Sequence, residues 1–240
     1  MAGHSKWANI KHRKSRQDEA RGKIFTKIAR EIMVAARHGG EDPDHNIRLR
    51  LALQKARTAN MPNDNINRAI SRGSGGSEGE DLEEIVYEGY GPGGVAMLLE
   101  ILTDNRNRTA GEIRHMFSRH GGNMGESGCV NWMFQRKGLV LVESSGKDNQ
   151  EDTVMLAALE AGAEDVRQVD QGWEIITSPE DLEEVRQQLA DTGIEASLAE
   201  VTMIPDNLTS GPNQVLSLIE ALEDHDDVQN VYTNWDMPSQ

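Results

Sequence analysis

The chain contains the stretch Trp173-Glu174-Ile175-Ile176-Thr177-Ser178-Pro179-Glu180-Asp181, in which a predicted strand runs directly into a predicted helix. Trp173 to Thr177 is a short run rich in strand-forming residues. Ser178 followed three residues later by Asp181 resembles a capping box, which marks the start of a helix. The neighbouring segments continue the alternation, with strands at 139–142, 165–169 and about 199–204 and a helix at 153–161. The order β-α-β-β-α-β predicts a ferredoxin-like unit.

A second sheet is predicted from segments that come before and after this unit in the sequence. Ile85 to Tyr90 and Val95 to Leu102 are expected to be strands joined by the turn Gly91-Pro92-Gly93-Gly94. Further predicted elements are a helix at about 109–120, a strand face formed by Val130, Trp132 and Phe134, a helix marked by Val215, Leu218, Ile219 and Leu222, and a strand at 228–235. The last helix and strand have no sheet of their own. We expect them to return to the sheet begun at Ile85, which makes the ferredoxin-like unit an insertion.

Three short helices are predicted ahead of the sheets. Ile24, Phe25, Ile28 and Ile32 recur at helical spacing, and Gly39-Gly40 ends that helix. We expect the second helix to begin at Asp42-Pro43 and to carry Ile47, Leu51 and Ala56 as its apolar residues; the third should begin at Pro62, with Ile66, Ala69 and Ile70 inward and Gly73 after its end. Three helices with short connections imply a small helical bundle.

The Gly- and Ser-rich segment after the third helix is typical of a flexible linker. The fold class is therefore predicted to be α+β, with an N-terminal three-helix bundle. The predicted domains are a basic helical domain at 1–73, a linker at 74–80, a discontinuous α+β domain at 81–136 and 205–240, and an inserted ferredoxin-like domain at 137–204.

Charge is distributed unevenly along the 240 residues. Met1 to Arg72 hold 16 Lys or Arg against 7 Asp or Glu, a formal charge of +9. The remaining 168 residues hold 9 against 33, a formal charge of −24. Such asymmetry indicates a polyanionic partner for one part of the chain, and nucleic acid is the leading candidate. The alternative is a basic domain that docks on its own acidic body.

The N-terminal segment has the residue types of a nucleic-acid contact. Lys and Arg neutralise phosphates, and Asn and Ser hydrogen-bond sugar or phosphate oxygens. Trp7 offers a plane for stacking on a base, although packing onto the bundle explains it equally well. No residue here has base-specific geometry, so we interpret the segment as a backbone contact.

The segment from Thr103 to Thr109 lies between a predicted strand and a predicted helix. Its Asn and Asp residues suit the turn and the helix cap. Arg106 and Arg108 equally suit a phosphate site at the start of the helix. The full set of candidate nucleic-acid-binding residues is Lys6, Trp7, Asn9, Lys11, His12, Arg13, Lys14, Arg16, Arg21, Lys23, Lys27, Arg48, Arg50, Arg106 and Arg108.

The sequence gives no catalytic or metal-binding set. The histidines fit no zinc spacing, and Cys129, flanked by Gly128 and Val130, is better explained as a small core residue than as a nucleophile. The glycines at 73–79 follow a helix and lack the Gly-Lys-Ser/Thr ending of a phosphate-binding loop. We expect a non-enzymatic protein with no cofactor and no small-molecule substrate. Apolar runs too short to span a bilayer and a single cysteine predict a cytoplasmic protein with no membrane partner.

Several segments closely resemble the YebC family. They are Met1 to Asn9, Arg21 to Lys27, Tyr87 to Gly94 and Thr103 to Thr109, and the resemblance continues through 161–165 and 203–205. It implies a helical bundle, an α+β domain and a ferredoxin-like domain inserted into the second. Bacterial members are classed as probable transcriptional regulators that bind DNA. Other members, including mitochondrial relatives, are similar to translation factors that act at the ribosome, with relief of stalling at proline runs as a proposed role.

Two functional classes follow from the residues and the resemblance together. The first is a transcriptional regulator that binds DNA through the basic N-terminal domain, for which the second and third helices offer a weak helix-turn-helix signal around Asn60-Met61-Pro62. The second is a ribosome-associated translation factor that contacts rRNA or tRNA, which suits a basic end on an acidic body. Mitochondrial relatives carry sequence ahead of the motif that begins here at Met1, which favours a bacterial protein. We predict the regulator, with the ribosomal factor as the alternative.

Overall fold

The computed structural model describes residues 21–75, 82–144, 150–169 and 172–237. Within them the helices are α1 (Arg21–Gly39), α2 (Ile47–Thr58), α3 (Asn63–Ser74), α4 (Arg106–Arg119), α5 (Gln150–Glu160), α6 (Leu182–Asp191) and α7 (Gln214–Glu223). The strands are β1 (Glu83–Tyr90), β2 (Ala96–Thr103), β3 (Asn123–Met124), β4 (Phe134–Glu143), β5 (Asp165–Val169), β6 (Gly172–Thr177), β7 (Ala196–Pro205) and β8 (Val228–Thr233). These elements confirm the predicted α+β class.

The first three helices form a bundle in which α2 and α3 both pack on α1. Its core includes Ile32 of α1, Leu49 of α2 and Ile66 of α3, all buried. Gly73 lies inside α3 rather than after its end, and it is buried. A Cβ there would collide with the backbone of Met33, so the glycine allows α3 to approach α1 closely.

The predicted start of the second helix was wrong. Asp42 accepts a hydrogen bond from the Asp44 amide and forms a turn, whereas Asn46 caps α2 by accepting from Leu49 N at 3.0 Å. Of the apolar residues predicted for this helix, Ala56 is buried but Ile47 is 65% exposed, whereas Leu49, which was not predicted, is fully buried. Two aliphatic residues, Ile47 and Leu51, therefore lie on the outside of the helix.

The first sheet is antiparallel and has the order β3-β1-β2-β8. Leu99 of β2 pairs with Val231 of β8, so the last strand does return to the sheet begun near Ile85, as predicted. The helix α4 packs beside β1 and β3, with Phe117 buried. A Cβ on Gly89 would lie 2.9 Å from the Phe117 ring, so this glycine lets the helix close on the strand.

The strand face predicted at Val130, Trp132 and Phe134 was wrong. Residues Asn131–Met133 form a 3₁₀ turn, and Trp132 is 71% exposed. The strand β4 begins only at Phe134, where it gains Pro205 of β7 as a partner. The amide of Asp206 then donates to the carbonyl of Met133 at 2.9 Å.

The second sheet is antiparallel and has the order β5-β6-β4-β7. With α5 and α6 between its strands in sequence, this is the predicted ferredoxin-like arrangement. Its core contains Val140, Ile175 and Val185, all fully buried. Ser178 Oγ accepts from the Asp181 amide at 3.1 Å, which is one half of the predicted capping box. The helix α6 itself begins at Leu182, and its N-cap residue Asp181 makes no side-chain cap bond.

The described chain divides into two compact units. One comprises residues 21–130 and Gly211–Thr233, which hold the helical bundle and the first sheet. The other comprises Asn131–Ser210 and residues 234–237, which hold the second sheet. Across the described ranges, no helix has both the length and the apolar character required to cross a membrane.

Candidate nucleic-acid interface

Most of the predicted N-terminal contact lies outside the described residues. This holds for Lys6, Trp7, Asn9, Lys11, His12, Arg13, Lys14 and Arg16. Arg21 is the first residue of α1. The described candidate side chains begin at Lys23. Some of them bind an acid or a carbonyl of the same compact unit, and the others are exposed without such a partner.

The basic face of α1 is turned toward the end of α7. Lys23 Nζ lies 3.1 Å from Asp224 Oδ2, and Lys27 Nζ donates to the carbonyl of Glu223 at 2.5 Å. The carboxyl end of a helix carries partial negative charge, so lysines are stabilising there. Burial lowers the pKa of Lys27 to about 8, although nearby acids including Glu223 oppose the shift. Lys23 and Lys27, both candidate binding residues, thus also make internal contacts.

A buried carboxylate joins α1 to the first sheet. Asp227 Oδ1 accepts from Arg30 Nη1 at 2.6 Å, and Asp227 Oδ2 accepts from Arg108 Nη2 at 2.8 Å and from Thr109 Oγ1 at 2.7 Å. A fourth hydrogen bond reaches the same oxygen from Thr103 Oγ1 at 3.2 Å. Burial acts to raise the pKa of Asp227, but the bonds from Thr109, Arg108 and Arg30 outweigh it and lower the pKa to about 2. Asp227 therefore stays ionised and holds two arginines.

The loop before α4 is organised by local hydrogen bonds. Asn105 caps α4 by accepting from Arg108 N at 3.1 Å, and Thr103 Oγ1 accepts from the Asn105 amide at 2.9 Å. Arg108 is held between Asp104 and Asp227. The guanidinium of Arg106 has no hydrogen bond or ion pair with another described residue, and Arg106 is exposed. The two arginines of this motif therefore differ in their contacts.

The two flanks of α2 differ in the same way. On one flank, Arg48 forms two hydrogen bonds with Glu84, at 2.7 and 2.9 Å, and Lys55 Nζ lies 2.8 Å from Glu31 Oε1. The bond from Arg48 is the main cause of the lowered pKa of Glu84. On the other flank the exposed cations are Arg50 and Arg57, seven residues and about two turns apart.

Arg50 and Arg57 have no partner among the residues that the structure describes. The helix α2 contains no acidic residue, so this flank is positive along its length. Arg68 and Arg72 of α3 are likewise exposed and unpaired within the described ranges. Arg68 and Arg72 were not among the binding residues predicted from the sequence. Their positions between the apolar residues of α3 could have indicated that they lie on its outer side.

The acid and histidine cluster and the cysteine, the described groups closest in type to a metal or catalytic site, make contacts with other residues. Glu112, His225 and Asp227 place one ligand atom each within 4.8 Å of one another. However, His225 Nε2 lies 2.8 Å from Glu112 Oε2, and Asp227 is already bound by two guanidinium groups. Burial raises the pKa of the Cys129 thiol, with Glu88 adding to the shift, so the thiol is held in its protonated form.

Comparison with known proteins identifies the family. Residues 82–235 match the family profile described as the TACO1/YebC second and third domain, and residues 5–76 match the TACO1/YebC protein N-terminal domain. The chain belongs to the TACO1/YebC family. The two profiles together cover the helical bundle and both sheets.

Similar proteins from bacteria support this membership. A protein named "Probable transcriptional regulatory protein" from Moorella thermoacetica is 60% identical over 247 residues, covering 100% of this chain and 97% of its own length. One of the same name from Halothermothrix orenii is 58% identical over 245 residues, with coverage of 100% and 97%. The crystal structure of a conserved hypothetical protein from Aquifex aeolicus is 44% identical, with a TM-score of 0.82 and coverage of 94% of each chain. Relatives in the TACO1/YebC family are thus named as regulators rather than as enzymes.

Proposed function

We propose that the protein is a non-enzymatic regulator of gene expression that binds nucleic acid, and DNA in particular, through its N-terminal helical domain. The observation that carries the proposal is the asymmetry of α2. Arg48 and Lys55 are neutralised by acids, whereas Arg50 and Arg57 face solvent without an acid on the helix. Arginines left unpaired on one face are available to neutralise phosphates.

The third helix adds the side chains that base recognition requires. Asn67 and Arg68 lie together on the exposed side of α3, and Ser71 and Arg72 follow one turn later. Asn pairs with adenine and Arg with guanine in the major groove. Because α2 and α3 each pack mainly on α1, the pair differs from a helix-turn-helix, in which the two helices pack on each other. We propose α3 as the element nearest the bases. The names of the relatives favour DNA as the partner.

The predicted N-terminal residues belong to the same proposal. Lys11, Arg13 and Lys14 are the centre of a basic series that is free of acids as far as Asp18. We propose that this series binds the phosphate backbone alongside α2 and α3. Lys23 and Lys27 contribute less, since both already hold the end of α7.

The ribosomal alternative is favoured by one observation. Exposed and unpaired arginines occur not only on the bundle but also on α4 beside the first sheet, at Arg106. A folded RNA that curves around the protein would meet cations on two domains, whereas a short straight duplex would meet fewer. In that case the protein would contact rRNA or tRNA and relieve stalled translation.

The test uses the full-length protein and equal losses of charge. The Arg50→Gln/Arg57→Gln variant should bind a labelled DNA duplex more weakly, with a salt slope smaller by about two phosphates. The matched control is Arg167→Gln/Arg186→Gln, which removes two arginines that are paired with Asp165 and Glu183 in the other unit. Equal affinity of the two variants would refute the α2 interface. Co-sedimentation with ribosomes at the same salt distinguishes the partners, because a loss confined to ribosomes would favour the translation factor.

A further inference from the structure

The outer side of α4 is a cationic surface of which the ribosomal alternative above uses only Arg106. The helix buries Thr109, Ile113 and Phe117, which are spaced four residues apart and mark its inner side. The opposite side carries Asn107, Gly111, Arg114, His115 and Ser118, all exposed. Arg106 is the first residue of the helix; it lies seven positions before Ile113 and is exposed at the helix end. We call these five residues, together with Arg106 at the helix end, the α4 outer face.

The charge of the α4 outer face contrasts with its surroundings. The 168 residues after Arg72 have a formal charge of −24, yet this face contains no acid. The acid of the helix, Glu112, points elsewhere and contacts His225. Neither Arg106 nor Arg114 forms a hydrogen bond or ion pair with another side chain in the described part of the chain.

The two arginines are eight residues apart on α4, a separation of about 12 Å along the helix axis. Burial is the main cause that raises the pKa of Tyr87; the positive charges of Arg106 and Arg114 oppose the rise, and the acids Glu83 and Asp227 add to it. The Tyr87 hydroxyl also donates to the carbonyl of Arg106 at 3.2 Å. Tyr87 is buried and has its hydroxyl bonded, so it braces the start of α4 while both arginine side chains remain in solvent.

Gly111 supplies a second, independent observation. Glycine in a helix interior is destabilising relative to alanine, and it is normally explained by close packing or by a left-handed backbone. Neither explanation holds here, because no heavy atom of the described residues, apart from the backbone of the helix itself, lies within 4 Å of where its Cβ would be, and its φ is not positive. Gly111 is exposed and has no side chain, so the helix backbone is not covered by a side chain of its own at this position. An external chain can approach the helix backbone there.

We propose that the α4 outer face is a second nucleic-acid contact, which binds the phosphodiester backbone independently of sequence. Arg106 and Arg114 each neutralise a phosphate, Asn107, His115 and Ser118 donate hydrogen bonds, and the backbone of the ligand passes over Gly111. This rests on the proposed function in that the bundle makes the first contact. The sequence predicted Arg106 and Arg108 as the two cations of this site. We propose Arg114 in place of Arg108, because Asp104 and Asp227 already form ion pairs with Arg108.

The first test measures anisotropy of a labelled DNA duplex and a labelled RNA hairpin with the full-length protein over a range of salt. Arg106→Gln/Arg114→Gln should weaken binding to at least one of them by roughly 10-fold at 0.1 M salt and reduce the salt slope by about two. Arg167→Gln/Arg186→Gln is again the control for lost charge. Wild-type affinity in the α4 double variant, or a loss no larger than the control shows, overturns the inference. Such a result would also be expected if the face serves an acidic protein.

The second test separates binding from stability. Gly111→Ala should raise the Tm, since alanine favours the helix, and should weaken binding several-fold, since its methyl group obstructs the approaching backbone. A structural role for Gly111 would lower the Tm, and unchanged affinity would overturn the proposed passage. The two proposals fail differently. If Arg50→Gln/Arg57→Gln alone weakens binding, the α4 contact is refuted; if only the α4 variants do, the bundle interface is refuted.

Discussion

At the scale of single residues, Asp227 has the most contacts to explain. It receives hydrogen bonds from Arg30, Arg108, Thr103 and Thr109, and its side chain is only 3% exposed. Two guanidinium groups and two hydroxyls satisfy a carboxylate that burial alone would neutralise. If the negative charge of Asp227 is removed, Arg30 and Arg108 both lose their buried ionic partner.

We predict that Asp227→Asn lowers the free energy of unfolding by about 3 kcal/mol at pH 7, as expected when one member of a buried ion pair is removed. The pKa of Asp227 is about 2 in the folded protein against 3.8 ordinarily, so its contribution is complete above about pH 5 and is lost as the pH falls toward 2. Urea unfolding at several pH values should show the difference between wild type and variant shrinking over that interval.

The matched control is Asp104→Asn, which removes the exposed partner of the same Arg108. An exposed pair contributes less than about 1 kcal/mol, so this variant should remain close to wild type at every pH. If both variants lose the same stability, the burial of Asp227 has no energetic consequence and our account of the junction is wrong.

At the scale of elements, α2 shows how far sequence reasoning reaches. Apolar spacing was sufficient to predict a helix, but not its phase, because Ile47 and Leu51 satisfy the same spacing as Leu49 and Ala52. The choice depends on where the cap lies. Asn46 fixes the start by accepting from Leu49 N, and its side-chain amide also donates to the carbonyl of Ala35 in α1, a contact that the sequence of α2 does not reveal.

The sequence was sufficient to predict which kinds of residue form the candidate site. It was not sufficient to predict which of the basic side chains are free of an internal acidic partner. Arg30 and Asp227 are separated by 197 positions, and Arg48 and Glu84 by 36. A basic residue in the sequence carries no sign of whether a distant acid will neutralise it. The order of strands and helices was easier to predict. Turns and helix starts depend mainly on residues close together in the sequence, as at Ser178 and Asp181.

The phase of α2 yields a prediction. Leu49→Ala should lower the free energy of unfolding by about 3 kcal/mol, since Leu49 is fully buried. Leu51→Ala should cost less than about 1 kcal/mol, since its side chain already reaches solvent. Thermal or urea unfolding of the two variants measures the difference. A reversed order would mean that the helix is rotated about its axis.

At the scale of the whole molecule, the chain comprises two compact units, and the bundle shares one of them with the first sheet. Within that unit, contacts such as Arg30 with Asp227 and Val34 with Leu82 join the helices to the strands. The basic part of the sequence is therefore not simply an appended tail, since part of its charge stabilises its own junction. Only the remaining cations are available to a partner.

We predict that the two units open separately in hydrogen exchange. Ile175→Ala removes a fully buried side chain from the second sheet and should lower the protection of amides in β4, β6 and β7. The amides of β1, β2 and β8 should keep wild-type protection. Mass spectrometry of peptides after exchange gives both values in one experiment, and an equal loss in both sheets would show a single cooperative unit.

The hydrogen bond between Asp206 and Met133, followed by the pairing of Phe134 with Pro205, has a consequence for chain topology. The polypeptide enters and leaves residues 134–205 at neighbouring points. Because its two ends are adjacent, the folded segment joins the rest of the chain as a short connection would. The loop-closure entropy is therefore close to that of a hairpin and smaller than that of a long flexible loop. The length and content of the segment can change during evolution, or be exchanged by an engineer, without rethreading the strand β8 that completes the other sheet.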